Sequence, residues 1–109
     1  MFVGDVDGFP VDVVGPKIEN HGVFPKRTNV EFVQVLGKSE LKVRVWERGC
    51  GETTACGTGA CASVAAGNML KKTAAFVTAH LTGGKLSVEF EERLFLSGPA
   101  EKAFEGRLL

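Results

Sequence analysis

The sequence predicts an α+β fold in which mostly antiparallel strands surround one buried helix. Three observations predict it. Glu40 to Glu47 alternates strictly, placing Leu41, Val43 and Val45 on one face and Lys42, Arg44 and Trp46 on the other, the pattern of a half-buried strand. After Gly59 a run of alanines with Val64, Met69 and Leu70 has no polar face before Asn68 and Lys71, so a helix there must be buried on all sides. Gly83-Gly84 between two strand-like stretches is a hairpin signal. With 109 residues the chain suits a single domain, 1–109, since domains usually run about 100–150 residues.

Along the chain, residues 2–24 are punctuated by glycine and proline, and only Val11–Val14 suggests a single helical turn. Asn29 to Val35 is β-branched and aromatic and reads as a strand. A turn at Leu36–Ser39 joins it to the alternating strand Glu40–Glu47, making an antiparallel hairpin. Arg48–Ala55 is expected to be a loop. The helix follows from Cys56 to Leu70, with Thr58 as its N-cap hydroxyl and Lys71-Lys72 complementing the negative end of its dipole. Ala74–Leu81 and Lys85–Glu91 are expected to be strands flanking a Thr82–Gly84 turn. Arg93–Leu96 and Lys102–Leu108 are two further short strand candidates.

Composition narrows the function. Thirteen Lys and Arg balance thirteen Asp and Glu, which leaves no long-range field to attract nucleic acid or an anionic membrane surface. No apolar run approaches the roughly 20 residues of a membrane span. The opening MFVGDVDGFPVD carries acids where a secretory signal has basic residues and an apolar stretch, so a cytoplasmic location is expected. Three cysteines suit neither a disulfide framework nor a zinc site, since Cys50, Cys56 and Cys61 lack C-x2-C spacing and His21 and His80 lie far off in sequence. No metal is expected, and both histidines read as having no partner.

Chemistry concentrates between Glu47 and Gly59. Gly49, Gly51, Gly57 and Gly59 suit tight turns or close approach of backbone to a ligand. The last two open the helix, where unpaired N–H groups and the positive dipole end can hold a carboxylate. Cys56 lies at the same end, in a field that also favours thiolate over thiol. Cys61, inside the alanine run, reads as a small core hydrophobe. Cys50 is either a loop thiol or packed without a role. Gly57-x-Gly59-x-x-Ala62 does not qualify as a dinucleotide site, because the preceding strand is too distant and no acid follows at the required spacing. A phosphate-binding P-loop is excluded by the absence of Gly-Lys-Ser/Thr. Glu47 and Arg48 at a strand end read by default as a surface ion pair, and Asn29 as a turn residue.

Glu47 to Gly59, read as Glu-Arg-Gly-x-Gly-Glu-Thr-x-Ala-Cys-Gly-Thr-Gly, resembles the second cysteine motif of the diaminopimelate epimerase family. Phe24-Pro25 with Thr28-Asn29-Val30 resembles another segment of that family, and Gly98-Pro99-Ala100 with Phe104-x-Gly106 resembles its C-terminal ending. The resemblance covers nearly the whole chain, in order. It implies a lobe of strands around a central helix, a cofactor-independent interconversion of LL- and meso-diaminopimelate, and a substrate held between two similar lobes. Each lobe supplies one cysteine, one removing the α-proton and the other reprotonating from the opposite face. Cys56 corresponds to the second cysteine, Gly57 and Thr58 to donors for the α-carboxylate, and Asn29, Glu47 and Arg48 to residues lining the substrate pocket. The chain then corresponds to the C-terminal lobe alone, with the N-terminal lobe absent. Its expected partners are the small-molecule substrate and either that lobe or a second copy presenting its own Cys56. The competing expectations are a non-catalytic lobe or binding remnant and a related isomerase of the proline racemase type.

Overall fold

The structure, a computed structural model, describes residues 1–109. In chain order the elements are α1 (Val11–Glu19), β1 (Val30–Gly37), β2 (Glu40–Glu47), β3 (Gly51–Thr53), α2 (Gly57–Met69), β4 (Phe76–Leu81), β5 (Gly84–Phe90) and β6 (Leu94–Ser97). The strands form one sheet in the order β1-β2-β4-β5-β6, with β3 pairing onto the far end of β2. Every named pairing is antiparallel except β2–β4, where Glu40, Leu41 and Lys42 run parallel to Thr78, Ala79 and His80. The chain travels from β2 to β4 through α2, because parallel neighbours need a crossover.

The alternation in β2 sorts its side chains between the two faces as expected. Leu41, Val43 and Val45 join Val33, Val77, Ala79 and Val88 in a core covered by Ala60 and Val64 of α2. On the opposite face Val30 and Phe32 of β1 pack with Val6 and Val11, and Trp46 borders this second core. The helix α2 therefore lies across one face of the sheet. Gly59, Ala60, Ser63, Val64 and Gly67 face inward, at the three- and four-residue spacing of one helical stripe, while Ala62 and Met69 stay exposed. The small side chains permit close approach: a Cβ on Gly67 would lie 2.8 Å from Thr73 Oγ1.

Several local expectations are corrected. The single turn at Val11–Val14 is a nine-residue helix that continues through Pro16. Burial of Val11, Gly15 and Glu19 along one stripe, and the acceptance of both Asn20 N and Asn20 Nδ2 by the Pro16 carbonyl, sustain it past the proline. The loop expected over Arg48–Ala55 contains β3, because the turn at Gly49 and Gly51, with φ of 76° and 85°, folds the chain back onto β2. The first hairpin's turn is shorter than expected, since β1 runs to Gly37. β4 begins at Phe76 rather than Ala74, and Gly84 already belongs to β5. Residues 102–108 form no strand: they lie exposed with nothing to pair with. Lys71 and Lys72 lie beyond the C-cap, Leu70, and act through their backbone, donating to the Asn68 and Gly67 carbonyls. His80, expected to have no partner, lies 3.0 Å from Glu40 across the parallel pairing.

Candidate active site

The exposed flank of the first turns of α2 borders two adjoining clefts that share Thr58 and Ala62. One, of about 410 Å³, is polar, and Arg27, Thr28, Asn29, Glu31 and Arg48 line it. The other, of about 700 Å³, is mainly apolar, with Cys61, Leu94 and Leu96 beside Glu47, Cys56 and Gly57. Each residue that the family resemblance implies for the site lines one of them: Asn29 and Arg48 the polar cleft, Glu47, Cys56 and Gly57 the apolar one, and Thr58 both.

Cys56, not Thr58, is the N-cap of α2. Its backbone is extended, at φ −146° and ψ 109°, and its Sγ accepts from Gly59 N at 3.4 Å. Thr58 is already inside the helix and its hydroxyl instead faces Cys56 Sγ, also at 3.4 Å. The first main-chain bond of the helix runs from Ala60 N to Cys56 O, so the amides of Gly57 and Thr58 precede it and have no intrahelical acceptor. A thiol, two donor amides and the positive end of a 13-residue helix thus converge at one point of the cleft wall.

The strand ends supply the rest. Asn29, just before β1, accepts from Arg48 N through Oδ1 at 2.8 Å, which ties the entry of one strand to the exit of its neighbour. Arg48 Nη1 reaches Lys26 O at 3.3 Å. Glu47, the last residue of β2, accepts from the hydroxyl of Thr53 on β3. Cys50 is exposed and lies outside both clefts, while Cys61 packs on the core and also lines the apolar cleft. No three His, Cys, Asp or Glu side chains cluster in a way that could hold a metal ion.

Arg27, Glu31 and the pair Leu94 and Leu96 were not singled out in the sequence. Glu31 is the most informative. It alternates with Val30 and Phe32, so its side chain points to the α2 face and lies over Gly59, where a Cβ would come within 2.7 Å of Oε1. Burial raises its pKa, against the opposing pull of the Met1 amino group, and Glu47 adds a smaller push upward. The sequence held part of the signal, a carboxylate between Val30 and Phe32 at the start of a largely apolar strand, but not the glycine it lies over. Leu94 and Leu96 carried no such signal, because a short exposed strand with apolar residues is common at surfaces.

The fold alone has a solved counterpart. A phenazine biosynthesis protein of the PhzF family from Bacillus anthracis superposes with a TM-score of 0.60 at 20% identity, over 87% of this chain and 32% of that one. The likeness is one of fold, a mixed α+β arrangement of six strands and two helices. Sequence carries the assignment further. The family described as diaminopimelate epimerase matches residues 1–102. The diaminopimelate epimerase of Moorella thermoacetica is 52% identical over 109 residues, and that of Pelotomaculum thermopropionicum 55% identical over 108; each alignment takes in 97% of this chain and 39% of the relative. This chain belongs to the diaminopimelate epimerase family, and it spans about two fifths of the length of those relatives.

Proposed function

We propose that this chain is the C-terminal lobe of a cofactor-independent isomerase that interconverts LL- and meso-diaminopimelate, with Cys56 as one of its two proton-transferring groups. The observation that carries the reading is Cys56 capping α2 at the wall of a cleft, beside two amides that have no intrahelical acceptor. Removing an α-proton pushes charge onto the adjacent carboxylate. Fixed donors placed there lower that barrier most, because they need not reorganise as the charge develops. Gly57 and Thr58 would bind the carboxylate through N–H while Cys56 Sγ takes the proton as a thiolate. A second thiol on the opposite face of the carbon would deliver a proton, and the electron pair left by the first would form the new C–H bond. Arg48 and Asn29 would receive the far end of the substrate, where a guanidinium suits a carboxylate, and Glu47 would meet its ammonium.

Cys61 lies on the helix that Cys56 caps and on the same cleft wall, so the second thiol, needed on the opposite face of the carbon, would come from outside residues 1–109 or from another copy. The segment that makes up the rest of the relatives' length is the proposed source. The exposed apolar side chains of Leu94, Phe95 and Leu96 support a partner on this side of the lobe. A second copy of this chain is the competing occupant, and a sedimentation measurement that finds only monomer at micromolar concentration removes it. Three free cysteines fit a reducing, cytoplasmic setting for this chemistry.

Solvent deuterium incorporation at the α-carbon of diaminopimelate tests the function. Exchange is expected once the chain is combined with the N-terminal part of a relative, and Cys56→Ser should reduce it at least about a thousandfold, the order expected when a proton-transferring group is lost. Cys61→Ser should change mainly stability. No exchange in the combined protein with Cys56 intact would refute the function, and loss of exchange through Cys50→Ser alone would refute the assignment of the base.

A further inference from the structure

Glu19 ends α1 on the side of the sheet opposite α2, and it lines neither of the two clefts. Its side chain is only 7% exposed, which is costly for a carboxylate unless donors surround it. They do. Oε1 accepts from Trp46 Nε1 at 2.9 Å, and Oε2 accepts from Gly49 N at 2.9 Å and from Arg27 Nη1 at 3.2 Å. These three donors belong to β2, to the turn after it and to the segment that leads into β1. Arg27 lines the polar cleft, and Gly49 directly follows Arg48, which lines it too.

We propose that Glu19 is a positioning residue for the polar cleft, holding Arg27 and the Arg48–Gly49 turn so that both guanidinium groups are presented to a substrate carboxylate. The role in binding rests on the epimerase reading above; the clamp itself does not. Arg48 is held on both sides: its own N–H bonds Asn29, and the next amide bonds Glu19. Gly49 sits at φ 76°, a conformation that a single amide-to-carboxylate bond helps to hold in a turn lacking other main-chain ties at that amide. Arg27 itself has φ 60°, unusual for a residue with a side chain, and Glu19 anchors its guanidinium through Nη1 at the edge of the polar cleft. Only a carboxylate satisfies all three partners. They are all donors, so a glutamine would turn an NH2 group either toward Trp46 or toward Gly49 and Arg27. The same bonds, that from Trp46 first, hold the Glu19 carboxyl below the usual glutamate range.

Glu19→Gln, with Glu19→Asp as the conservative control, separates positioning from mere support. Amide hydrogen exchange is read on Arg48, Gly49 and Cys50 and compared with Val77 and Val88 in β4 and β5. In Glu19→Gln the turn amides should exchange about tenfold faster, the order expected for one lost charge-assisted bond, while the two strand amides keep their protection. In the chain combined with the N-terminal part of a relative, KM for diaminopimelate should rise by about tenfold with kcat within about twofold, and Glu19→Asp should recover part of the loss. Faster exchange throughout β4 and β5, unchanged exchange at the turn, or a fall in kcat at constant KM would each overturn the positioning role. If the unaltered combined protein leaves diaminopimelate unexchanged, the proposed function fails instead, and the exchange pattern by itself decides for or against the clamp.

Discussion

The two faces of the sheet are held by different forces. On the α2 face the contacts are between short aliphatic groups, Val33, Leu41, Val43, Val45, Val77, Ala79 and Val88 against Ala60 and Val64. Their strength is non-directional and scales with the area removed from water. On the α1 face the apolar set is smaller, centred on Phe32 stacked at 5.0 Å from Phe9, and directed polar bonds complete it. There Arg44 reaches the Val6 and Phe9 carbonyls at 2.9 and 3.0 Å and grips Glu52 through two nitrogens, while Glu19 gathers Trp46, Gly49 and Arg27. The difference teaches where rigidity is placed. The aliphatic face supports the helix whose start carries Cys56. The polar face fixes the loops and strand ends that bring the arginines to the cleft.

The largest expected effect comes from the α1 face's one buried aromatic. Phe32→Ala should lower stability by about 3–5 kcal/mol, the usual range for deleting a buried phenylalanine, read from urea midpoints. A smaller value, close to that of an aliphatic truncation such as Val64→Ala, would show that the polar bonds rather than Phe32 carry that face. Adding one methyl group on each face tests the comparison directly. In Gly15→Ala the new Cβ would lie 2.5 Å from Trp46 Cγ and 2.7 Å from Cδ2, at the root of a ring whose Nε1 is tied to Glu19, so a loss of about 1–3 kcal/mol is expected. In Gly59→Ala the nearest atom is Glu31 Oε1 at 2.7 Å, the far end of a side chain that can swing away. The helix also gains about 1 kcal/mol from replacing glycine, so thermal stability should change little. The cost should appear in the cleft, as a displaced Glu31. Equal destabilisation by the two variants would remove the distinction between a filled face and an open one.

The smallest effect is in the pH dependence, where the two faces should have opposite signs. Glu19, bonded by the Trp46 indole and the Gly49 amide and facing the charges of Arg27 and Arg48, has its folded pKa lowered. Its contribution to stability is complete above the ordinary glutamate value and is lost as pH falls through the lowered one. Glu31, buried beside Gly59 and near Glu47, has its folded pKa raised. The folded state therefore binds its proton more tightly, and stability gained by protonation appears as pH falls through the raised value. Denaturation midpoints followed through the acid range should fall more steeply in Glu31→Gln, which removes the opposing component, and less steeply in Glu19→Gln. Parallel curves for the two variants would contradict the assignment.

Much of this architecture was legible because it is local. The span Glu40–Glu47 is visible as alternation, and β2 has those bounds. The glycines before and inside the helix marked its start, and Asn29, Glu47, Arg48, Cys56, Gly57 and Thr58 all reached the two clefts. What was illegible depended on partners distant in sequence. A three-residue strand such as β3 has no periodicity of its own and exists because β2 offers an edge. The cap falls at Cys56 and not at Thr58, although hydroxyls are the common caps, because here the helix begins two residues earlier and the sulfur meets Gly59 N. The full burial expected of α2 followed from its composition, but alanines leave a flank open when only one layer of strands is present, and that flank became the cleft wall.

The parallel pairing of β2 with β4 has a consequence for how the site comes into being. The hairpins β1–β2 and β4–β5 each close over short loops, so their strands find one another quickly. The seam between them joins Leu41 to Ala79 and can form only after the whole intervening chain, including α2, has been gathered. Closing so long a loop carries an entropic cost that the two hairpins do not share. The apolar cleft draws Glu47 from one side of that seam and Leu94 and Leu96 from the other, whereas the polar cleft draws only on the β1–β2 side and on α2. A chain with both hairpins formed and the seam open would have most of its secondary structure but no apolar cleft beside Cys56. Binding competence should therefore arrive with the slowest step of folding.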